Sequence, residues 1–331
     1  MICRVRWLAR LACSAICMIG LVVGGAFTVA VDWGTSSLRV WLLDSAGAVL
    51  SESRSAEGAD GLAAGGFEAC LTRHIERLGR AARGARIVMC GMVGARNGWR
   101  EAPYMPIPAR LDELPRHAMR VAGAGVDALI LPGLVRNHAD APDVMRGEET
   151  QLLGFSAVPG FSGLVCLPGT HCKWVRVRDG GVDDFSSAMT GEIFRLLAQH
   201  SVLRHVVDPQ ARIAADDPAF LRAAAAGLAR PEALLHTLFS VRAAALVSGL
   251  SAGAAAARLS GLLIGTDIGA ALREVAPGTA VSLIASGPFV ALYEQVFGLA
   301  GVRPRVFDAD EMVRAGLFRA ARLWDEMELC A

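Results

Sequence analysis

Residues 165–177 read Val-Cys-Leu-Pro-Gly-Thr-His-Cys-Lys-Trp-Val-Arg-Val. Two strand-like runs flank the turn Pro168–His171, a pattern that predicts a β-hairpin. In such a turn glycine lets backbone N–H groups approach an anion, and the Thr170 hydroxyl adds a donor. Lys173 is the only lysine among the 33 Lys and Arg residues. Because lysine is a compact point charge and arginine a planar fork, we interpret Lys173 as a cation directed at a phosphate; the alternative is a solvated hairpin lysine.

The same order of elements occurs earlier in the chain. An apolar run over 27–32 is followed by Gly34-Thr35, a second strand-like run and a turn at Asp44. Setting Gly34-Thr35 over Gly169-Thr170 also places Asp44 on Asp179. Shared order at a fixed spacing predicts two related halves. Lys173 falls on Leu38 in this alignment, so the repeat predicts the hairpin but not the lysine.

Composition narrows the class of protein. A chain of 331 residues favours two domains. Its 53% hydrophobic content and net charge of +1 indicate neither a nucleic-acid surface nor a polybasic membrane patch. The eight cysteines are scattered without a CxxC pair, which argues against a zinc motif and a disulfide framework. We therefore predict free thiols and a cytoplasmic protein.

The N-terminus conflicts with that location. Residues 1–26 carry arginines at 4, 6 and 10 and then an apolar run, as in a signal peptide or short membrane anchor. The apolar run continues without a break into Phe27–Val31, which we predict to be a core strand. We therefore predict an extension ahead of the domain start. Export or anchoring is the alternative, and only a true anchor would bring the protein to a membrane.

Strands that alternate with helices predict an α/β architecture. We expect an N-terminal domain over residues 27–158 and a C-terminal domain over residues 159–331, with an oligomer possible. Helical spacing predicts the helices Phe67–Arg83, Gly147–Phe155, Gly191–His200, Pro218–Leu263 with a break at Gly249–Gly253, Phe289–Phe297 and Asp310–Met327.

Several motifs together resemble one family. They are Asp32-Trp-Gly-Thr-Ser-Ser-Leu-Arg39, Gly91-Met-Val-Gly94 with Gly98-Trp-Arg-Glu-Ala-Pro103, Met145-Arg-Gly-Glu-Glu-Thr-Gln151, Leu167-Pro-Gly-Thr-His-Cys-Lys-Trp174 and Met189-Thr-Gly-Glu192. From about residue 27 to the end the chain resembles the actin-like ATPase and sugar-kinase superfamily, and within it the 2-dehydro-3-deoxygalactonokinases. The resemblance implies two ribonuclease-H-like domains with a cleft between them. It also implies transfer of the ATP γ-phosphate to the 6-hydroxyl of 2-dehydro-3-deoxy-D-galactonate, in galactonate catabolism.

A kinase needs residues that bind the nucleotide and a metal ion, and the sequence offers candidates for both. Asp32, at the end of the first strand, is placed to hold Mg²⁺ directly or through water, since magnesium takes few carboxylates and several waters; a turn aspartate is the alternative. The C-terminal half is expected to contact adenosine. The candidate ATP-binding residues are Gly34, Thr35, Ser36, Gly169, Thr170, Lys173, Gly265, Ser286 and Gly287.

Phosphoryl transfer also needs a base for the acceptor hydroxyl. Glu148 and Glu149 are adjacent at a predicted helix start, and the Gly-Glu-Glu pattern resembles the catalytic-glutamate segment of exopolyphosphatases. We predict Glu148 as the base and Glu149 as the alternate. Two acids that favour a helix N-terminus are the structural explanation. The same explanation is favoured for Glu192, and His171 either polarises a phosphate or fills the turn.

The substrate is an acid, so a guanidinium fork suits its carboxylate. Arg100 is the first choice and Arg96 the second. Glu101 or Asn97 would hold sugar hydroxyls, and Trp99 would pack on the sugar or simply in the core. Two other functions remain open: a polyphosphate or nucleotide phosphohydrolase, and a non-catalytic sugar-sensing or actin-like assembly protein. The stereochemistry at C4 of the sugar acid is not encoded in any motif.

Overall fold

The computed structural model describes residues 27–330 except 64, 124–125 and 161. The predicted extension over residues 1–26 therefore lies outside the described residues. Contacts within the described chain define two compact units. The first unit comprises residues 27–103, 115–132 and 317–330, and the second comprises residues 104–114 and 133–316.

These units divide the chain at other points than the single boundary predicted after residue 158. Residues 104–114 belong to the second unit because Ala109–Arg110 pairs with the strand that begins at Gly181. Residues 133–158 belong there because Asp143 accepts a hydrogen bond from the backbone N–H of Ser187 at 2.6 Å. The division therefore depends on pairing between residues that are distant in sequence. No linker in the sequence marks where one unit ends and the other begins.

The described elements are as follows. The strands are β1 (Thr28–Trp33), β2 (Leu38–Leu43), β3 (Val49–Ser55), β4 (Arg86–Gly91), β5 (Tyr104–Pro106), β6 (Ala109–Arg110), β7 (Met119–Gly123), β8 (Val126–Ile130), β9 (Gly133–Arg136), β10 (Asp143–Met145), β11 (Gly163–Leu167), β12 (Cys172–Arg178), β13 (Gly181–Ala188), β14 (Val281–Ala285) and β15 (Arg305–Asp308). The α-helices are α1 (Gly66–Leu78), α2 (Glu148–Phe155), α3 (Thr190–His200), α4 (Pro218–Ala229), α5 (Leu234–Ser248), α6 (Ala252–Arg273), α7 (Pro288–Leu299) and α8 (Ala309–Cys330).

A six-stranded sheet in the order β3-β2-β1-β4-β8-β7 forms the first unit. β1 pairs antiparallel with β2 and parallel with β4. All six residues of β1 are buried, as expected for a central strand that is covered on both faces. Phe67 and Leu71 of α1 pack in the same core as Val29 and Val31 of β1. α1 ends at Leu78, earlier than predicted, because Gly79 adopts a φ of 99°.

The second unit repeats this topology. Its main sheet has the order β15-β14-β11-β12-β13-β6, and a three-stranded sheet β10-β9-β5 accompanies it. β11 pairs antiparallel with β12 and parallel with β14, as β1 pairs with β2 and β4. In both sheets the first four strands of the repeat lie in the order third, second, first, fourth, and a later strand, β8 or β15, follows the fourth. This confirms the predicted repeat and the fold class, two ribonuclease-H-like α/β domains.

Helices α4 and α6 cross at unusually short range. Gly227, Gly261, Gly265 and Gly269 form the crossing; a Cβ on Gly265 would lie 2.2 Å from the carbonyl oxygen of Ala224. The helix was predicted to end at Leu263, but α6 continues to Arg273 and the glycines serve helix packing. Among the described helices α6 is long and apolar enough to cross a membrane, yet 72% of its apolar window is buried inside the protein. It is therefore a core helix of the second unit.

Candidate active site

Asp32 lies at the carboxyl end of β1 in the first unit, where the sheet positions it between two neighbouring strands. The register places Arg39 of β2 and Cys90 of β4 beside it. Arg39 contacts Asp32 Oδ2 at 2.5 Å, and the Cys90 thiol lies 3.9 Å from Oδ1. Asp32 is 8% exposed. The carboxylate is thus fixed in orientation at the strand end, next to the β1–β2 turn.

The turn Gly34–Ser37 between β1 and β2 is supported by the segment that follows β3. The N–H groups of Ala59 and Asp60 donate to the carbonyl oxygens of Gly34 and Thr35 at 2.9 and 3.1 Å. A Cβ on Gly58 would lie 2.4 Å from the backbone nitrogen of Ser36, so only glycine permits this approach. The hydroxyl side chains of Thr35 and Ser36 are exposed. A firmly held turn therefore presents two donors to solvent.

The predicted sugar-acid residues lie on the loop after β4. Trp99 stacks on Phe67 with ring centroids 6.4 Å apart, so its ring packs against the core. Arg96, Asn97, Arg100 and Glu101 are all exposed, and Arg96 pairs with Glu101 at 3.6 Å. The loop therefore combines one partly buried anchor with four solvent-facing polar side chains.

In the second unit, the turn between β11 and β12 is held against the start of α3. The N–H of Glu192 donates to the carbonyl oxygen of Thr170 at 2.9 Å. A Cβ on Gly191 would lie 2.4 Å from the carbonyl oxygen of Gly169. His171 contacts the Glu192 carboxylate at 2.5 Å. Glu192 lies in the first turn of α3, as predicted, and its carboxylate orients the turn histidine.

Lys173 lies on β12 and is buried, with 5% exposure. Its Nζ donates to the carbonyl oxygen of Val144 at 2.9 Å and to Ser187 Oγ at 2.5 Å. Ser187 Oγ donates in turn to Asp143 Oδ1 at 2.8 Å. A solvated hairpin lysine is therefore excluded. Two of the three ammonium protons have protein acceptors, and sequence reasoning missed these partners because they lie 14 and 29 residues away.

Glu148 and Glu149 begin α2, and the structure gives them different environments. Glu149 is fully buried; the N–H of Gly147 lies 2.9 and 2.7 Å from its two oxygens. Burial, and secondarily the charge of Glu148, raise the pKa of Glu149 to about 8. Glu148 is partly exposed. Burial raises its pKa as well, whereas the charges of Lys173 and His171 oppose that rise.

A cavity of about 310 Å³ opens beside the β11–β12 turn within the second unit. Its lining residues come from the turn, α3, α6 and α7, and include Gly169, Thr170, Thr190, Gly191, Phe194, Arg195, Ser260, Leu263, Ile264, Phe289, Leu292 and Tyr293. Apolar side chains form most of the wall, and the turn supplies polar backbone at one end. A cavity of this kind suits an aromatic base joined to an anionic group.

Three candidate ATP-binding residues of the C-terminal half, Gly265, Ser286 and Gly287, have different positions. Gly265 lies inside α6 at the α4 crossing, where its backbone packs against Ala224. Ser286 donates to Asp308 Oδ2 at 2.8 Å, and Gly287 precedes α7, the helix that contributes Phe289 to the cavity. Ser286 and Gly287 are therefore next to the cavity along the chain.

Sequence reasoning missed Asp267 as a supporting residue. Trp174 Nε1 and Thr190 Oγ1 each donate to its carboxylate at 2.7 Å. Burial raises the pKa of Asp267 despite these bonds. Asp267 thereby joins β12, α3 and α6 behind the cavity. No local pattern in the sequence could reveal these contacts, because Trp174 and Thr190 lie 93 and 77 residues away.

Comparison with known proteins adds independent information. The family model for 2-keto-3-deoxy-galactonokinase matches residues 32–320. A protein of Rhizobium meliloti named probable 2-dehydro-3-deoxygalactonokinase DgoK1 is 46% identical over 300 residues, which are 90% of this chain and 98% of the relative. The 2-dehydro-3-deoxygalactonokinase of Escherichia coli is 36% identical over 289 residues, 87% of this chain and 95% of the relative.

A solved structure agrees with the sequence relatives. The crystal structure of a Sinorhizobium meliloti protein that carries the same enzyme name superposes with a TM-score of 0.85 at 46% identity. The match covers 89% of this chain and 98% of that one. Both units described above are thus present in the related structure.

Proposed function

The chain belongs to the 2-keto-3-deoxy-galactonokinase family, and on this basis we propose that it transfers the γ-phosphate of ATP to the 6-hydroxyl of 2-dehydro-3-deoxy-D-galactonate. It is an ATP-dependent sugar-acid kinase, and the reaction is a step of galactonate catabolism. The observation that carries this function is the match, at 46% identity, over 98% of a relative's length. We also propose that the kinase works in the cytoplasm, where its nucleotide is available.

ATP is assigned to the second unit. The apolar walls of the cavity of about 310 Å³ would hold the base, and Gly169 and Thr170, which line it, would contact the phosphates. The turn Gly34–Ser36 of the first unit is the second proposed phosphate contact, since its exposed hydroxyls and backbone donors resemble those of the repeat-related turn.

Asp32 is the proposed ligand of Mg²⁺. Its carboxylate is held by Arg39 at a strand end, and a single fixed carboxylate fits a cation that keeps most of its waters. When bound, Mg²⁺ neutralises charge on the transferring phosphoryl group. The contribution of the chain is orientation, because Arg39 prevents Asp32 from rotating away from the turn.

Glu148 is the proposed base for the acceptor hydroxyl. It is partly exposed and so accessible to substrate, whereas Glu149 is sealed and both its oxygens face the N–H of Gly147. A base must be ionised before the reaction, and burial opposes ionisation of Glu148. The charge of Lys173 opposes that effect. Lys173 therefore has two proposed roles: it keeps Glu148 ionised, and its remaining N–H donor is directed at a phosphate.

The loop after β4 is the proposed sugar-acid site. Arg100 or Arg96 would bind the carboxylate as a planar fork, and Asn97 or Glu101 would bind hydroxyls. All four side chains are exposed on a loop that Trp99 anchors to the core. Removal of the correct arginine should therefore raise KM for the sugar acid and leave KM for ATP unchanged.

The direct test is ADP release by the full chain with ATP, Mg²⁺ and a panel of aldonic and 2-keto-3-deoxy acids. We expect turnover with 2-dehydro-3-deoxy-D-galactonate, and loss of an acid–base catalyst in Glu148→Gln should lower kcat by about 10²–10⁴-fold. Glu311→Gln is the matched control, because Glu311 is an exposed glutamate in the first turn of α8. Absence of turnover with every keto-deoxy acid would refute the substrate, and phosphate release without any sugar would indicate a phosphohydrolase.

A further inference from the structure

Three potential metal ligands come together in the first unit, and none of them is a residue assigned to catalysis. They are the Glu57 carboxylate, the Cys70 thiol and the His74 imidazole, whose ligand atoms all lie within 4.8 Å of one another. Cys70 and His74 are four residues apart on α1, so they share one helix face. Glu57 follows β3 and approaches the same face.

One distance in the cluster already matches that between neighbouring ligands of a bound ion, and the other ligand atoms lie within 4.8 Å of one another. His74 Nε2 lies 3.1 Å from Glu57 Oε2. Around a tetrahedral cation with bonds of about 2.0–2.3 Å, neighbouring ligand atoms are roughly 3–4 Å apart. The three groups can therefore converge on one ion through side-chain adjustment.

Neighbouring side chains already hold two of the ligands. Ser53 Oγ lies 2.8 Å from His74 Nδ1, and Arg73 contacts Glu57 Oε1 at 2.5 Å. Histidine ligands in metalloproteins are usually fixed by a hydrogen bond at the second ring nitrogen, and carboxylate ligands are hydrogen-bonded in turn. Both features are present here. His74 Nε2 lies 3.1 Å from Glu57 Oε2 and 3.3 Å from Ser55 Oγ, and a bound ion would replace these two hydrogen bonds.

Two of the three ligands lie inside the protein. Cys70 and His74 are fully buried, whereas Glu57 is partly exposed and paired with Arg73. A divalent ion would balance the charges of one thiolate and one carboxylate.

We propose that Glu57, Cys70 and His74 form a binding site for one zinc-class divalent cation, independent of the phosphoryl-transfer chemistry. The sulfur, nitrogen and oxygen donors are those of zinc sites, whereas Mg²⁺ requires oxygen ligands. Binding forms a metal–sulfur bond and releases the Cys70 proton to solvent. His74 coordinates through Nε2 and keeps one proton on Nδ1, which it donates to Ser53 Oγ.

The site is connected to the β1–β2 turn. Trp33 Nε1 donates to the carbonyl oxygen of Glu57 at 2.9 Å, and Gly58 is the residue packed against Ser36. An ion bound to the Glu57 side chain would therefore tether α1 to the segment that supports the turn. The expected result of occupancy is a more stable first unit.

Titration of the full chain with Co²⁺ as a spectroscopic substitute for zinc tests the site. We expect a thiolate-to-cobalt absorption band that saturates at one ion per chain and disappears when Zn²⁺ is added. Cys70→Ser should abolish the band, and Glu57→Gln should weaken affinity by about tenfold or more. Cys330→Ser is the matched control, because Cys330 is an exposed free thiol, and it should leave the band unchanged.

Stability measurements give a second readout that does not require the cobalt band. Zn²⁺ should raise Tm of the wild type and of Cys330→Ser, and it should leave Tm of Cys70→Ser unchanged. Absence of the band in the wild type would overturn the proposal. Persistence of the band, or of the zinc-induced rise in Tm, in Cys70→Ser would overturn it as well, because the ion would then bind elsewhere.

Discussion

Glu149→Gln should make the protein more stable at neutral and alkaline pH. The pKa of this carboxyl is near the ordinary value of 4.5 in the unfolded chain and about 8 in the folded protein. Between these values the unfolded chain loses a proton that the folded chain retains, so wild-type stability falls as pH rises through that window. At 1.36 kcal/mol per pKa unit the loss approaches about 3 kcal/mol at pH 7 and about 5 kcal/mol above pH 8. Glutamine mimics the protonated form, so the variant should not lose stability as the pH rises.

The assay is the free energy of unfolding from urea titrations at pH 5, 7 and 9 for wild type and variant. The difference between them should grow with pH by the amounts above. Glu294→Gln, which changes an exposed glutamate on α7, should leave the pH dependence unchanged. If Glu149→Gln and wild type show parallel pH curves, Glu149 is ionised in the folded state and its assignment as a sealed neutral acid fails. Retained kcat in Glu149→Gln would further support Glu148 as the base.

Three other substitutions test the proposed site. Asp32→Ala should lower kcat by at least about 100-fold with an unchanged far-UV spectrum, because it removes the proposed metal ligand at the end of β1 and leaves the apolar side chains of that strand in place. Lys173→Arg should lower kcat and cost about 1–3 kcal/mol in the free energy of unfolding, since a planar fork does not fit between the Val144 carbonyl and Ser187. Gly191→Ala should raise KM for ATP about tenfold in steady-state kinetics, because its Cβ displaces the Gly169 carbonyl.

Each of these variants has a control or a contrary outcome. Wild-type activity in Asp32→Ala would remove that residue from the metal role. Lys173→Met separates charge from shape: it should lose activity without overpacking, and full activity in either Lys173 variant would refute both roles proposed for the lysine. Gly298→Ala is the control for Gly191→Ala, because a Cβ on Gly298 meets no atom within 4 Å.

Much of the fold follows from local pattern. Alternating apolar runs around Gly34 and Gly169 predicted two hairpins, and their shared order predicted the repeat that the two strand orders confirm. These features are readable because a strand and its turn are determined by neighbouring residues. The predicted start of α2 at the paired glutamates is confirmed for the same reason.

The rest depends on contacts that are distant in sequence. The burial of Lys173 arises from Val144 and Ser187, and the role of Asp267 arises from Trp174 and Thr190. The domain division likewise follows from β6 pairing with β13. The spacing of the cysteines argued against a zinc motif, but that argument compared cysteines only with each other. It left out the pairing of Cys70 with His74, one helical turn later. No single-residue property reveals such partners, because folding brings them together.

The close crossing of α4 and α6 has a consequence for inhibitor chemistry. Ser260, Leu263 and Ile264 line the cavity from α6, and the glycines of the same helix contact the α4 backbone directly. Because the two backbones touch at these glycines, α6 cannot move towards α4 to enlarge the cavity. A ligand that gains one substituent towards α6 should meet an abrupt size limit, whereas the exposed Phe289 leaves room for adjustment on the α7 side. Substituents added to an inhibitor that mimics the proposed nucleotide should therefore point towards α7.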